Sequence, residues 1–227
     1  APASYKTHSG YAQAILTEAE ETKSRTPEEA VDLAIAEVET AREILERKPL
    51  PVKWQTASVY VNLSKNYRLK GQFMEDRGQG KESAVWYEKS LAVLEIFSSR
   101  RRHTNELFHD FMRRRGTPEA EIPDAGNHLI YESLAMTHAR MRNWEQCEAA
   151  ARHIQHIAPG QTAGYRLAAV ASFNRNQEPE KAAADFMAGM LIDPRCTHLI
   201  KALEWGYRDK KAADGTTTLT FDKTHHS

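Results

Sequence analysis

The sequence predicts an all-α protein, a stack of antiparallel helix hairpins closed by a C-terminal helix. Three observations carry that prediction. The first is a spacing. Tyr131, Leu134, Ala135 and His138 are followed by Trp144, Cys147, Ala151, Ile154 and Pro159. The pattern returns as Tyr165, Ala168, Ala169 and Ser172, then Ala182, Phe186, Gly189 and Pro194. Tyr131 thus recurs as Tyr165, and Pro159 as Pro194. A period of about 34 residues that carries two helical patterns and a closing proline marks stacked helix–turn–helix units, each of which buries its apolar face only against its neighbour. The second is helical periodicity over much of the remaining chain. The third is composition. With 41% hydrophobic residues and a mean hydropathy of −0.65, the chain is polar for its 227 residues, as expected when each unit contacts only its neighbours.

Along the chain, residues 4–22 read as a helix with Tyr11, Ala12, Ile15 and Leu16 as its apolar residues. A second helix starts at Arg25-Thr26-Pro27-Glu28-Glu29. Thr26 can cap, Pro27 suits the first turn, and the glutamates complement the helix dipole. Val31, Ala34, Ile35, Val38, Ala41 and Leu45 form its stripe to about residue 47, and Lys48-Pro49-Leu50-Pro51 ends it. The first hairpin is thus about 4–48. The second, 52–115, starts with a helix from Val52 to Leu69 that Gly71 is expected to stop, followed by a loop at 72–80. From Lys81 to Arg115 there is no Gly or Pro, which allows one helix of about 50 Å or two broken near Ser98-Ser99. Gly116-Thr117-Pro118 and Ile122-Pro123-Asp124-Ala125-Gly126 form the next loop. Hairpins at 127–159 and 162–194 follow. A helix at 195–211, with Leu199, Leu203 and Trp205, is expected to cap the last apolar face. The threonine-rich tail, 213–227, lacks helical period and reads as a mobile or short extended segment.

Bulk properties narrow the function. Lys plus Arg equals Asp plus Glu at 31 each, so net charge is zero, which favours neither nucleic acid nor an anionic membrane. No apolar run approaches the ~20 residues a membrane span needs, and no signal peptide is recognised. Two cysteines, Cys147 and Cys196, make no disulfide framework. Cys147 reads as a buried thiol between helices, and Cys196 as lying at a helix start, where a thiol pKa can fall. His153 and His156 share a helix face without a Cys, Asp or Glu partner, a poor metal site. No phosphate loop, serine elbow or paired-carboxylate constellation appears. The sequence therefore predicts neither an enzyme nor a cofactor.

These residues resemble the tetratricopeptide repeat family, closely over 128–194 and more loosely over 57–95, where Tyr60, Leu63, Ser64 and Tyr67 stand as a first helix and Ser83 and Tyr87-Glu88-Lys89-Ser90-Leu91 as a second. That looser repeat has about seven extra loop residues and no closing proline. Residues 1–48 match only as a helical hairpin, and the long 81–115 segment has no family counterpart. The resemblance implies a right-handed superhelical stack, with a protein or peptide bound in the concave groove lined by the first helix of each repeat. Its position-by-position transfer implicates Val61, Asn62, Lys65 and Leu69, then Glu132, Ser133, Met136 and Arg140, then Arg166, Val170 and Phe173. The family's carboxylate clamp is not reproduced, since its lysine and asparagine positions read Val61 and Lys65. The mix of Arg, Lys, Met and Phe suits an acidic, partly apolar peptide.

A second candidate surface is basic. Arg100-Arg101-Arg102 and Arg113-Arg114-Arg115 against Glu106 and Asp110 give +4 over residues 100–115, with Leu107, Phe108, Phe111 and Met112 between them. Residues 17–48 hold ten acidic and five basic residues, net −5. An alternative reading comes from Pro2-Ala3-Ser4-Tyr5-Lys6-Thr7-His8, which is similar to the leading segment of repeat arrays that follow multi-pass, glycosyltransferase-like membrane proteins. It implies a soluble extracytoplasmic accessory domain of a larger protein, with a membrane tether upstream of Ala1. The first reading is compatible with the cytoplasm, the second with the outside of it.

Overall fold

The computed structural model describes residues 4–47, 57–118, 128–176, 179–196, 209–211 and 217–219. Among them are eight helices: α1 (Tyr5–Thr22), α2 (Pro27–Glu46), α3 (Ala57–Asp76), α4 (Gly80–Arg114), α5 (His128–Arg140), α6 (Trp144–Ile157), α7 (Thr162–Asn176) and α8 (Pro179–Ile192). Among the described residues the regular structure is helical apart from two three-residue strands, β1 (Asp209–Lys211) and β2 (Thr217–Leu219), paired antiparallel with Lys210 opposite Thr218. The chain divides into two compact units, 1–137 and 138–227.

In the first unit, α1 and α2 pack as a hairpin, as do α3 and α4, and α2 packs on α3. Helix α1 starts where the Ser4 hydroxyl accepts from the Thr7 N–H, and ends at Lys23 with a left-handed φ of 52°. Helix α2 starts with a full capping box between Thr26 and Glu29, with Pro27 in the first turn. Such a cap is worth about 1 kcal/mol. The predicted stripe of α2 is buried from Val31 to Leu45. It joins Tyr60, Leu63, Tyr67, Val93, Leu94, Phe97 and Ile130 in one core, where the rings of Tyr60 and Phe97 lie 5.0 Å apart. On α1, Ala12 and Ile15 are buried, but Tyr11 is 57% exposed and stands outside the expected stripe.

Two expectations for the second hairpin are corrected. Gly71 does not stop α3, which runs on to Asp76, so the loop expected at 72–80 shrinks to 77–79. Gly71 serves close packing instead. A Cβ there would lie 2.6 Å from Cε1 of the Tyr87 ring and 3.2 Å from the Ser83 carbonyl oxygen. The turn is made by Gly78, at φ +75°. Segment 81–115 forms one continuous helix to Arg114. It ends as a glycine C-cap. Gly116, at φ +81°, donates to the Arg113 carbonyl, and Thr117 donates to that of Met112.

Polar groups are also sequestered in this unit. Ser64, Ser90, Ser133 and Thr137 are buried and linked: Ser64 Oγ lies 2.7 Å from Ser90 Oγ and 2.9 Å from Ser133 Oγ, and Ser90 Oγ lies 3.0 Å from Thr137 Oγ1. Arg68 Nη1 donates to the hydroxyls of Ser133 and Thr137 at 3.3 and 3.4 Å. Small hydroxyls let α3, α4 and α5 approach closely while leaving few orphaned polar atoms. Lys70, itself buried, clips α3 to α2 by reaching Glu28 at 2.8 Å and Asp32 at 2.7 Å, and Arg77 pairs with Glu28 as well.

In the second unit, α6 packs on α7 and α7 on α8. The small residues predicted to permit this, Ala151, Ala168, Ala169 and Ala182, are buried. So is Gly164, which the repeat pattern does not single out. A Cβ there would meet Ile154 Cγ2 at 3.0 Å and the Ala151 carbonyl at 3.1 Å. A charge network ties the helices together. Arg152 grips Asp185 with two nitrogens at 2.5 and 2.7 Å. Glu148 takes Arg152, Arg175 and Lys181 at 3.4, 3.3 and 2.8 Å. The expected cap helix at 195–211 is corrected at both ends. Arg195 and Cys196 belong to a turn in which the Cys196 N–H donates to the Asp193 carbonyl, and 209–211 are strand β1. Its centre, with Leu199, Leu203 and Trp205, lies outside the described residues.

Candidate functional site

The helix faces singled out from the sequence fall in both units. In the first, α3 positions Asn62, Lys65 and Leu69, and α5 positions Glu132 and Met136. Four-residue spacing keeps Asn62 and Asn66 on one face of α3, with Lys65 beside them. Lys65 is exposed and Asn62 half-buried. Both line a cleft with Ser9, Gln13 and Leu16 of α1, Val38 of α2 and Asn66. Leu69, two turns on from Asn62, is half-buried and packs on the core. Met136 is half-buried, its sulfur 3.8 Å from Arg68 Nη2. Ser133, also a groove position, is buried in the hydroxyl network.

In the second unit, Arg140 and Arg166 are half-buried. Val170 and Phe173, on α7, pack against the cluster of Ala169, Ala182 and Phe186. Much of their apolar surface is thus spent on the α7–α8 hairpin.

The basic stretch lies on α4. Arg113, Arg114 and Arg115 are exposed. Arg113 reaches Asp110 at 2.9 Å, and the Arg115 guanidinium lies 4.9 Å from the centre of the Phe111 ring, which is 51% exposed. The side chains of Arg100, Arg101 and Arg102 lie outside the described residues.

Electrostatics here are mostly structural. The Glu28 carboxyl sits below its usual range chiefly because Lys70 hydrogen-bonds to it. Burial pushes Lys70 downward, but Asp32 and Glu28 more than reverse this and its ammonium ends above its ordinary value. Burial raises the Cys147 thiol to about 12, so its thiolate is scarce at neutral pH. Burial lowers His138. Among the described residues no group of three or more His, Cys, Asp or Glu side chains is placed to hold a metal ion. No described helix is long and apolar enough to cross a membrane.

Two features escape the sequence reading. One is the contribution of α1 to the cleft, because residues 1–48 carry only a hairpin signal. The other is Asn66, whose one available clue is that it follows Asn62 by a single helical turn. Compared with known proteins, the chain matches no family model, no curated protein and no solved structure.

Proposed function

We propose that the chain is a non-catalytic protein-interaction module, a tetratricopeptide-like stack of hairpins that displays a groove for a peptide or partner protein. The observation that carries this reading is the succession of short helices α5 to α8, whose boundaries follow the repeat period, with Pro159 and Pro194 after the second helix of each pair. Its support is physical. Within the first unit α2 packs on α3, and within the second α6 packs on α7, while α3, α5 and α7 carry polar, half-buried or exposed groups: Asn62, Lys65, Glu132, Met136, Arg140 and Arg166. Rigid display reduces the ordering cost of binding, and Lys65, Arg140 and Arg166 favour an acidic segment. Pull-down followed by peptide mapping tests the reading. A partner whose binding falls on Arg166→Ala or Lys65→Glu is the expected result; partners indifferent to both changes would overturn it.

A further inference from the structure

Helix α4 carries an apolar row on the side turned away from its hairpin. Its inner face, with Tyr87, Ser90, Leu94 and Phe97, is buried, and α4 packs on α3. On the other side Val85 is 51% exposed, Ile96 37% and Phe111 51%, and Ala92 is exposed as well. At 3.6 residues per turn these four positions fall within about 100° of arc, the width of the stripe by which a helix packs on a neighbour. Exposed aliphatic residues scattered singly need no explanation, whereas apolar residues gathered on one face mark an interaction surface.

Charge and length say what covers that face. Residues 80–98 hold three glutamates and two lysines, net −1, while residues 100–115 carry +4. A second α4 laid parallel would set one +4 half against the other. Laid antiparallel, each basic half meets an N-terminal half of opposite sign. The chain's zero net charge leaves no overall repulsion between copies. Antiparallel pairing about a two-fold axis is self-complementary, because residue i meets j and j meets i. With the axis at Ser98, Val85 and Phe111 stand 13 residues to either side of it, so the two most exposed apolar residues of α4 meet across the pair, once at each end. The same register sets exposed Glu82 opposite exposed Arg114. A face about 50 Å long and ~10 Å wide offers about 500 Å² per copy. The total of about 1,000 Å² is at the low end for a specific complex, which calls for a micromolar dimer.

We propose that the chain self-associates through the outer face of α4, as a two-fold antiparallel pair in which Val85 of each copy packs on Phe111 of the other. The contact needs no peptide in the groove and is independent of the peptide-binding reading above.

Sedimentation equilibrium of the full chain over about 1–100 µM tests it. The mass should rise from 25.7 kDa towards twice that value. Val85→Glu changes a half-exposed position and should weaken association about tenfold or more, by setting a carboxylate against an apolar ring. Cross-linking tests the register without relying on that variant. In a Cys196→Ser background, Val85→Cys mixed with Phe111→Cys should form a disulfide-linked dimer under diamide. Val85→Cys alone should not, because its two copies lie about 39 Å apart in this register. A chain that stays monomeric at about 100 µM overturns the proposal, and capture of that monomer by phosphatidylserine vesicles would assign the face to an anionic membrane instead. A dimer that fails to give the mixed cross-link, or that links Val85→Cys to itself, also overturns it.

Discussion

Substituting Gly71 by alanine sets two effects of known size against each other. In an unobstructed helix interior, glycine to alanine stabilises by about 1 kcal/mol. At Gly71 the new methyl would sit 2.6 and 2.8 Å from two carbons of the Tyr87 ring and 3.2 Å from the Ser83 carbonyl. The backbone oxygen cannot yield cheaply, so the ring must move by roughly 1 Å to regain van der Waals distance. That movement strains the 2.8 Å hydrogen bond from Tyr87 Oη to Glu75 and disturbs a ring that is otherwise buried. Overpacking of this kind costs about 1–3 kcal/mol and the hydrogen bond about 1 kcal/mol, so the clash outweighs the propensity gain. The expected net loss is about 1–3 kcal/mol, a fall in Tm of roughly 3–10 °C for a chain of this size. Gly10→Ala in α1 is the matched control, because nothing lies within 4 Å of its added methyl. It should stabilise by about 0.5–1 kcal/mol. Urea titration followed by circular dichroism measures both. If Gly71→Ala stabilises as much as Gly10→Ala, the close approach of α3 and α4 is wrong.

Ser90→Val withdraws a partner from the buried hydroxyls of Ser64 and Thr137. It should destabilise by about 1–3 kcal/mol, which denaturant titration checks. The Glu28–Lys70 pair sets a pH dependence. Glu28 has a folded pKa lowered from 4.5, so its contribution is complete above that value and is lost as pH falls through the folded one. Lys70 has a folded pKa raised from 10.5, so its contribution is complete below 10.5 and is lost as pH rises through the folded value. Lys70→Met should flatten the stability profile at both ends, as read by Tm against pH. Asp185→Ala should lower Tm by leaving Arg152 without its two-point partner, and a variant as stable as the parent would remove that network from the account.

The helices are legible where local chemistry and packing agree. Thr26-Pro27-Glu28-Glu29 announces α2, and the cap forms as read because it needs only residues within one turn of each other. The repeated spacing of α5–α8 is visible because small and large residues must alternate for hairpins to pack. Gly71 misleads because a helix stop and a close helix contact use the same residue; only the Tyr87 ring, on the following helix, decides between them. Extending the repeat assigns helix to Arg195–Cys196 and to 209–211, yet the first pair belongs to a turn closed on Asp193 and the second forms a strand with β2, a pairing between residues six to ten apart that a helical period does not anticipate. At the candidate site, Asn62 and Lys65 can be placed from the repeat pattern. Asn66 and the facing Gln13 cannot, because their meaning depends on α1 lying across α3. Val170 and Phe173 are legible as positions on α7, but how much of them packs on α8 is not.

The central claim is that first helices recognise and second helices support. Residue-resolved amide hydrogen exchange, with and without a selected peptide, tests it most directly. Slowed exchange concentrated on α1, α3, α5 and α7 is the predicted result. Protection confined to α2, α4, α6 and α8, or no protection at saturating peptide, would contradict it.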